Sequence, residues 1–205
     1  MTRHSRTWAS PLAALAIAVP FAIAGLQSAG AQERVIPDTY LAITTNMTPA
    51  DVEIKADVLG WSTDAEREAV IAALQSEDPS AALSDLPSKG AVWRMNSAVG
   101  TSIKYAHREP LDDGGERITL VTDRRIAYTS FKPWVAANPA TDKALEYSVV
   151  EMTVGGPNSG EGTLSLSAEV NLDAASNRVS LDRANGAPLL TNVRMAPKPY
   201  WATQN

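Results

Sequence analysis

The sequence predicts a single α+β domain, mostly antiparallel β, built as a barrel or sandwich-like meander with one or two short helices inserted after an early strand. Three observations carry this. Most of the chain beyond residue 90 alternates apolar and polar residues with a period of two, as a strand with one buried face does. Short turn signals separate these runs, so sequence neighbours pair antiparallel. Only the stretch from Trp61 to Leu86 carries helical spacing and helix caps.

Taken in order, residues 1–31 read as a secretory signal. Arg3, His4 and Arg6 are basic, Leu12 to Leu26 is apolar apart from Pro20, and Ala29-Gly30-Ala31 offers small residues for cleavage before Gln32. The run is short for a membrane span, which needs about 20 residues. It lacks a twin arginine, which points to the general secretion route. The chain has no cysteine to carry a lipid anchor. The predicted domain is 32–195, with a loose tail over 196–205.

Thr39 to Thr45 is β-prone, and Asn46 to Ala50 breaks it. Val52 to Val58 alternates strictly and ends at Gly60. Thr63 and Glu66 form a capping box, and Ala69, Val70, Ala73 and Leu74 make an apolar helical stripe. Asp78-Pro79 starts a second short helix that buries Leu83 and Leu86. Strands follow over Ala91 to Met95, Ser102 to Glu109 with Ile103, Tyr105 and His107 on one face, Arg117 to Thr122 and Ile126 to Phe131. Asp112-Asp113-Gly114-Gly115 is the strongest hairpin turn. Pro133 to Asp142 is irregular, Glu146 to Val154 is a strand, and Gly155 to Gly160 is a loop. Thr163 to Asp173 reads as the cleanest strand, with Leu164, Leu166, Ala168, Val170 and Leu172 on one face. Ala174 to Asn177 turns into Arg178 to Arg183. Asn185-Gly186 turns again into Leu189 to Met195.

Composition limits the chemistry. The net charge is −5, and −7 once Arg3 and Arg6 leave with the signal. That disfavours nucleic acid and anionic membrane surfaces, which want a basic face. No stable membrane insertion is expected after signal cleavage. With no cysteine there are no disulfides and no thiolate metal site. His107 is the only histidine outside the signal, too few for a histidine-based metal centre, and no cofactor is expected. A catalytic triad through His107 lacks a Gly-x-Ser-x-Gly elbow. The carboxylates are scattered, and Glu151 and Glu169 read as outer-face strand residues. The oxygen-rich turns at Asp112 and Asp173 lack the spacing of a calcium loop.

The strongest candidates are arginines beside aromatics, a combination suited to anionic or sugar-like ligands. They are Trp61, Trp93, Arg94, His107, Arg108, Asp123, Arg124 and Trp134. The plainer reading makes Asp–Arg pairs locks at strand ends, with the charges of Asp64, Glu66 and Arg67 pairing with Arg124 or Asp123, and makes the tryptophans core.

Trp61-Ser62-Thr63-Asp64-Ala65-Glu66-Arg67, Val121-Thr122-Asp123-Arg124-Arg125-Ile126 and Leu190-Thr191-Asn192-Val193-Arg194 resemble the shared pattern of a family of uncharacterised exported bacterial proteins. The resemblance covers roughly Val52 to Arg194. It implies a bacterial exported protein and brings no activity, cofactor or catalytic residue.

The functional expectation is a soluble, exported, non-enzymatic domain, periplasmic or secreted, that binds a small ligand or an envelope protein. The alternative is an envelope hydrolase using carboxylates and arginines, with His107 or two acids meeting Arg94, Arg108 or Arg124 in one cleft. A lesser alternative is an outer-membrane β-barrel, for which the chain has few aromatics and an interrupting helix.

Overall fold

A computed structural model describes residues 35–95, 97–129, 132–136, 145–156, 160–166, 168–182 and 188–198. The expected signal and the Asn185-Gly186 turn lie outside them. β1 (Asp38–Thr44) and β3 (Glu53–Val58) pair antiparallel around an excursion holding β2 (Met47–Thr48). Then come α1 (Asp64–Leu74) and α2 (Pro79–Ser84), with the Thr63–Glu66 capping box and the Asp78 cap both formed. β4 (Gly90–Arg94), β5 (Thr101–Pro110) and β6 (Glu116–Thr122) continue the meander. Three short pieces follow, β7 (Ala127–Thr129), β8 (Lys132–Pro133) and β9 (Val135–Ala136). β10 (Ser148–Val154), β11 (Glu161–Leu164), β12 (Glu169–Asp173), β13 (Arg178–Asp182) and β14 (Leu190–Met195) complete the chain.

Eight strands close a barrel in the order β1-β14-β11-β10-β6-β5-β4-β3. All eight pairings are antiparallel and join successive barrel strands, which is an up-and-down barrel. Of the two architectures expected, the barrel forms. β2 with β9, β7 with β8, and β12 with β13 are separate two-stranded pairs.

An eight-stranded barrel is just wide enough for its own side chains to fill. Tyr40, Ile54, Val92, Ile118, Leu120, Val150, Met152, Leu164 and Leu190 all point inward and are at most 2% exposed. Each end is closed by a tryptophan. Trp61 packs on the core where β1 begins and β3 ends. Trp134, fully buried, enters at the opposite end from the segment after β6.

A second core lies outside the barrel. Val70, Ile71, Ala73 and Leu74 of α1 and Leu83 of α2 pack on Tyr105, Val121 and Val149, joined by Val179 and Leu181 of β13. The outer wall formed by β5, β6 and β10 is therefore covered. This corrects the expected helical stripe: Ile71 faces the core and Ala69 is exposed.

Two further expectations change. Thr163 to Asp173 is two strands rather than one. β11 belongs to the barrel, a turn at Ser165-Leu166 intervenes, and β12 leaves to pair with β13. In β5 the register shifts between Ile103 and Tyr105, because a bulge at Lys104 puts one extra residue against Thr122-Val121. Ile103 therefore points into the barrel, while Tyr105 and His107 point outward. Of the tail expected from Ala196, the Ala196 N–H donates to the Thr39 carbonyl at 2.8 Å, and Lys198 pairs with Asp38 at 3.7 Å. Residues 199–205 lie outside the described part.

Candidate functional site

The candidate residues separate into three groups. At the Trp61 end, the Trp61 indole N–H donates to Asp38 Oδ2 at 3.2 Å, and the Arg108 guanidinium sits 5.1 Å from its ring centroid. Ser62 adds to the edge of β5. Its N–H donates to the Ala106 carbonyl, and its hydroxyl accepts from the Ala106 N–H. Trp61 thus caps a barrel end. Below it the Tyr40 hydroxyl is buried with no hydrogen-bond partner among the described residues. Burial raises its pKa, and the Asp38 and Glu116 carboxylates add to the rise.

The second group is on the covered wall. His107 is half-buried, its ring 6.1 Å from Tyr105. Burial, and then the Arg67 guanidinium, hold its pKa below the usual imidazole value. Around it runs a lattice of ion pairs. Arg178 of β13 meets Glu109 at 2.5 Å, and Arg117 lies 3.3 Å from both Glu109 and Glu151. Glu151, expected on an exposed outer face, is outward-facing but only 2% exposed. The β13 hairpin covers it, and its Oε2 accepts the Leu181 N–H at 3.0 Å. The Val179 N–H donates to the Tyr105 hydroxyl at 3.5 Å. Two barrel side chains therefore satisfy the hairpin edge that faces the wall.

The stretch from Trp61 to Arg67 forms a local lock. Arg67 pairs with Asp64 and donates to the Ser62 carbonyl, while Glu66 meets Lys89 at 2.5 Å. Neither Asp64 nor Glu66 reaches Asp123 or Arg124. Asp123 instead lies 3.8 Å from Lys104. The Lys104 ammonium is buried and donates to the Ser84 and Leu86 carbonyls at the C-terminal end of α2, at 3.0 and 2.7 Å. The β5 bulge aims it there, and a cation at that helix end is favoured.

The third group forms a surface cleft at the Trp134 end. Lys55, Trp93, Arg94, Met95 and Ser97 line about 220 Å³ on the outside of the barrel. Cross-strand register puts Lys55 opposite Trp93, with its ammonium 4.9 Å from the ring centroid. Gly100 lies against the indole; a Cβ there would come within 2.5 Å of Nε1. Arg124 donates to the Gly100 carbonyl at 2.9 Å, so the Trp93 and Arg124 candidates share one neighbourhood. Lys55, Met95 and Ser97 were absent from the sequence candidates. Trp134 is not in the cleft; it is core, and its carbonyl accepts from Arg125.

His107, Arg108 and the Arg94–Arg124 pair are not gathered in one place. His107 and Arg108 point to opposite faces of β5, and the other two arginines stand at the far end. Among the described residues, no three His, Asp or Glu are grouped to hold a metal ion.

The three stretches that carry the family resemblance lie at the Trp61 end, at the Trp134 end and in β14. Comparison with family models, curated proteins and solved structures finds no match. The geometry therefore carries the functional argument alone.

Proposed function

We propose that the chain is an exported, non-enzymatic barrel that binds a partner or ligand from its outer wall rather than in its lumen. The observation that carries this is the contrast between interior positions occupied by buried side chains and the wall of β14, β1, β3 and β4, over which the described residues lay no further layer and which bears the Trp93 cleft. Specific binders of small molecules normally enclose most of the ligand in a preformed cavity. The described interior positions are occupied by the chain's own buried side chains and the Trp93 cleft lies on the wall, which favours recognition at the surface.

The distribution of side chains favours a barrel in water over one in a membrane. Membrane barrels turn apolar residues outward and use strands of about 9–11 residues. Here the apolar side chains fill the interior, Glu53, Lys55, Asp57 and Arg194 stand on the outer wall, and β5 alone reaches ten residues. Export rests on the signal pattern. N-terminal sequencing of the secreted or periplasmic protein should begin at Gln32, and recovery of the intact N-terminus in the cytoplasm would remove this part of the reading.

A photoreactive residue placed at Glu53 on that wall, or at Gln75 at the end of α1, tests the binding surface in producing cells. Covalent adducts from position 53 and none from 75 are expected. Adducts from position 75 alone, or from neither, overturn the reading.

A further inference from the structure

The β12–β13 hairpin has two edges, and the described residues satisfy one of them. On β13 the Val179 and Leu181 N–H groups point at the barrel, where the Tyr105 hydroxyl and Glu151 accept them. Those groups therefore point away from β12. Directly opposed residues of an antiparallel pair alternate between bonded and unbonded pairs. Val179 faces Leu172 and Leu181 faces Val170, so these are the unbonded pairs, with the bonded pair of Asn171 and Ser180 between them. The N–H and C=O groups of Val170 and Leu172 consequently point to the far edge of β12. Among the described residues nothing pairs with them. They present two donors and two acceptors, repeating about every 7 Å along the strand.

Proteins guard such an edge with proline, lysine, a bulge or a covering element. β12 carries neither proline nor lysine, and its ladder with β13 runs without a bulge. Burial also falls off across the hairpin. Val179 and Leu181 are 1% and 6% exposed, whereas Val170 and Leu172, beside them on the same face, are half-buried. The apolar face of the second core is thus only part-covered at β12. The hairpin itself is held in place, with Arg178 on Glu109 at 2.5 Å and Asn177 donating to Glu68 of α1 at 3.3 Å. A fixed edge is a prepared template, because little of its own freedom is lost when a strand adds to it.

We propose that the outer edge of β12 receives an extended segment of a partner protein as a third strand, with apolar side chains set beside Val170 and Leu172. Main-chain donors and acceptors at this spacing are matched by another extended backbone. A second copy of this chain fits poorly. The two-fold register that uses all four groups sets Val170 against Leu172, and with them Glu169 against Asp173, which places like charges side by side. The inference goes beyond the outer-wall reading and stands without it, because this edge belongs to the hairpin that covers Glu151 of β10.

Hydrogen exchange followed by nuclear magnetic resonance tests it, with a probe peptide of alternating valine and threonine flanked by lysines. The control is the same peptide N-methylated on its valines, which removes the N–H groups that would meet β12. The plain peptide should slow exchange at Val170 and Leu172 by roughly tenfold or more, and the methylated one should leave it unchanged. Val170→Pro deletes an edge N–H that β13 does not use, and should lose the slowing at Leu172. Thermal unfolding verifies that this variant is folded; if it is not, the two peptides on the unaltered protein still decide. Equal slowing by both peptides, slowing by neither, or slowing retained in folded V170P overturns the proposal. So does slow exchange at these two amides in the protein alone, which would mean that the chain covers its own edge. Slowing that grows with protein concentration overturns it as well and assigns the edge to a second copy.

Discussion

On β10 the outward residues Val149, Glu151 and Thr153 are buried; on β3 the outward residues Glu53, Lys55 and Asp57 are half-exposed. Both strands belong to one barrel and both turn their other face to the same core. The difference lies in what covers them. Two helices and a hairpin sit on the β10 side, and the described chain lays no such layer over β3. Charge on the covered wall becomes structure, because a buried ion must be paired and hydrogen-bonded. Charge on the open wall stays in water, where a pair adds little stability and is free for recognition.

Two glutamates make the contrast measurable. Glu151→Ala removes the partner of Arg117 and of the Leu181 N–H in a nearly dry site. It should lower the unfolding free energy by about 3 kcal/mol. Hydrogen exchange should rise first in β13. Glu53→Ala removes a 3.4 Å pair with Arg194 in which both side chains are more than a third exposed, and should cost below about 1 kcal/mol. Urea unfolding of the two variants decides the matter, and equal losses would erase the distinction between the walls.

A lysine pair repeats the test with smaller effects. Lys104→Met leaves the Ser84 and Leu86 carbonyls at the end of α2 without their donor and should cost about 2 kcal/mol, with exchange protection falling in α2. Lys55→Met should cost less than about 1 kcal/mol and show itself in binding instead. At the helix start, Thr63→Ala breaks the capping box, for a loss of about 1 kcal/mol read by the same urea titration.

The same contrast explains what could be read from the sequence. β1 and β3 have one open face, so their alternation is visible, and both were placed to within a residue or two. The caps of α1 and α2 and the Asp112 to Gly115 turn are local chemistry and were legible too. Period two reports only which side a residue faces, not which sheet it serves. Thr163 to Asp173 therefore looked continuous although Ser165-Leu166 turns a corner between two sheets. The Lys104 bulge leaves the composition of β5 unchanged while reversing its faces beyond it. The site was half legible: Trp93-Arg94 stood out as neighbours, but Lys55 joins them only through the β3–β4 register. Two helices separate those strands, so no turn length announced that register. Trp134 gave no local sign of being a plug, since most of the core cluster it joins comes from strands distant in sequence.

The smallest effect is in pH, and it too belongs to the covered side. His107 has its pKa lowered in the folded protein, first by burial and then by Arg67. The unfolded chain therefore takes up its proton at higher pH than the folded one. Stability is unaffected by this group above about pH 6.5 and falls as the pH drops from there through the lower folded value. Glu66 works in a lower window. Its hydrogen bond from Lys89, and then the Thr63 N–H, bring its pKa from 4.5 to about 2, so the stability it adds above pH 4.5 is lost as the pH falls towards 2. Its side chain is 34% exposed, and solvent keeps that contribution below about 1 kcal/mol. Unfolding free energies measured between pH 7.5 and pH 3, as round settings for the windows above, should decline in two steps. H107Q should abolish the upper step and keep the lower. A variant that kept both would mean that protonation of His107 is not opposed by its surroundings, and that the lattice of Arg67, Glu109 and Arg178 around it is open to water like the wall on the far side.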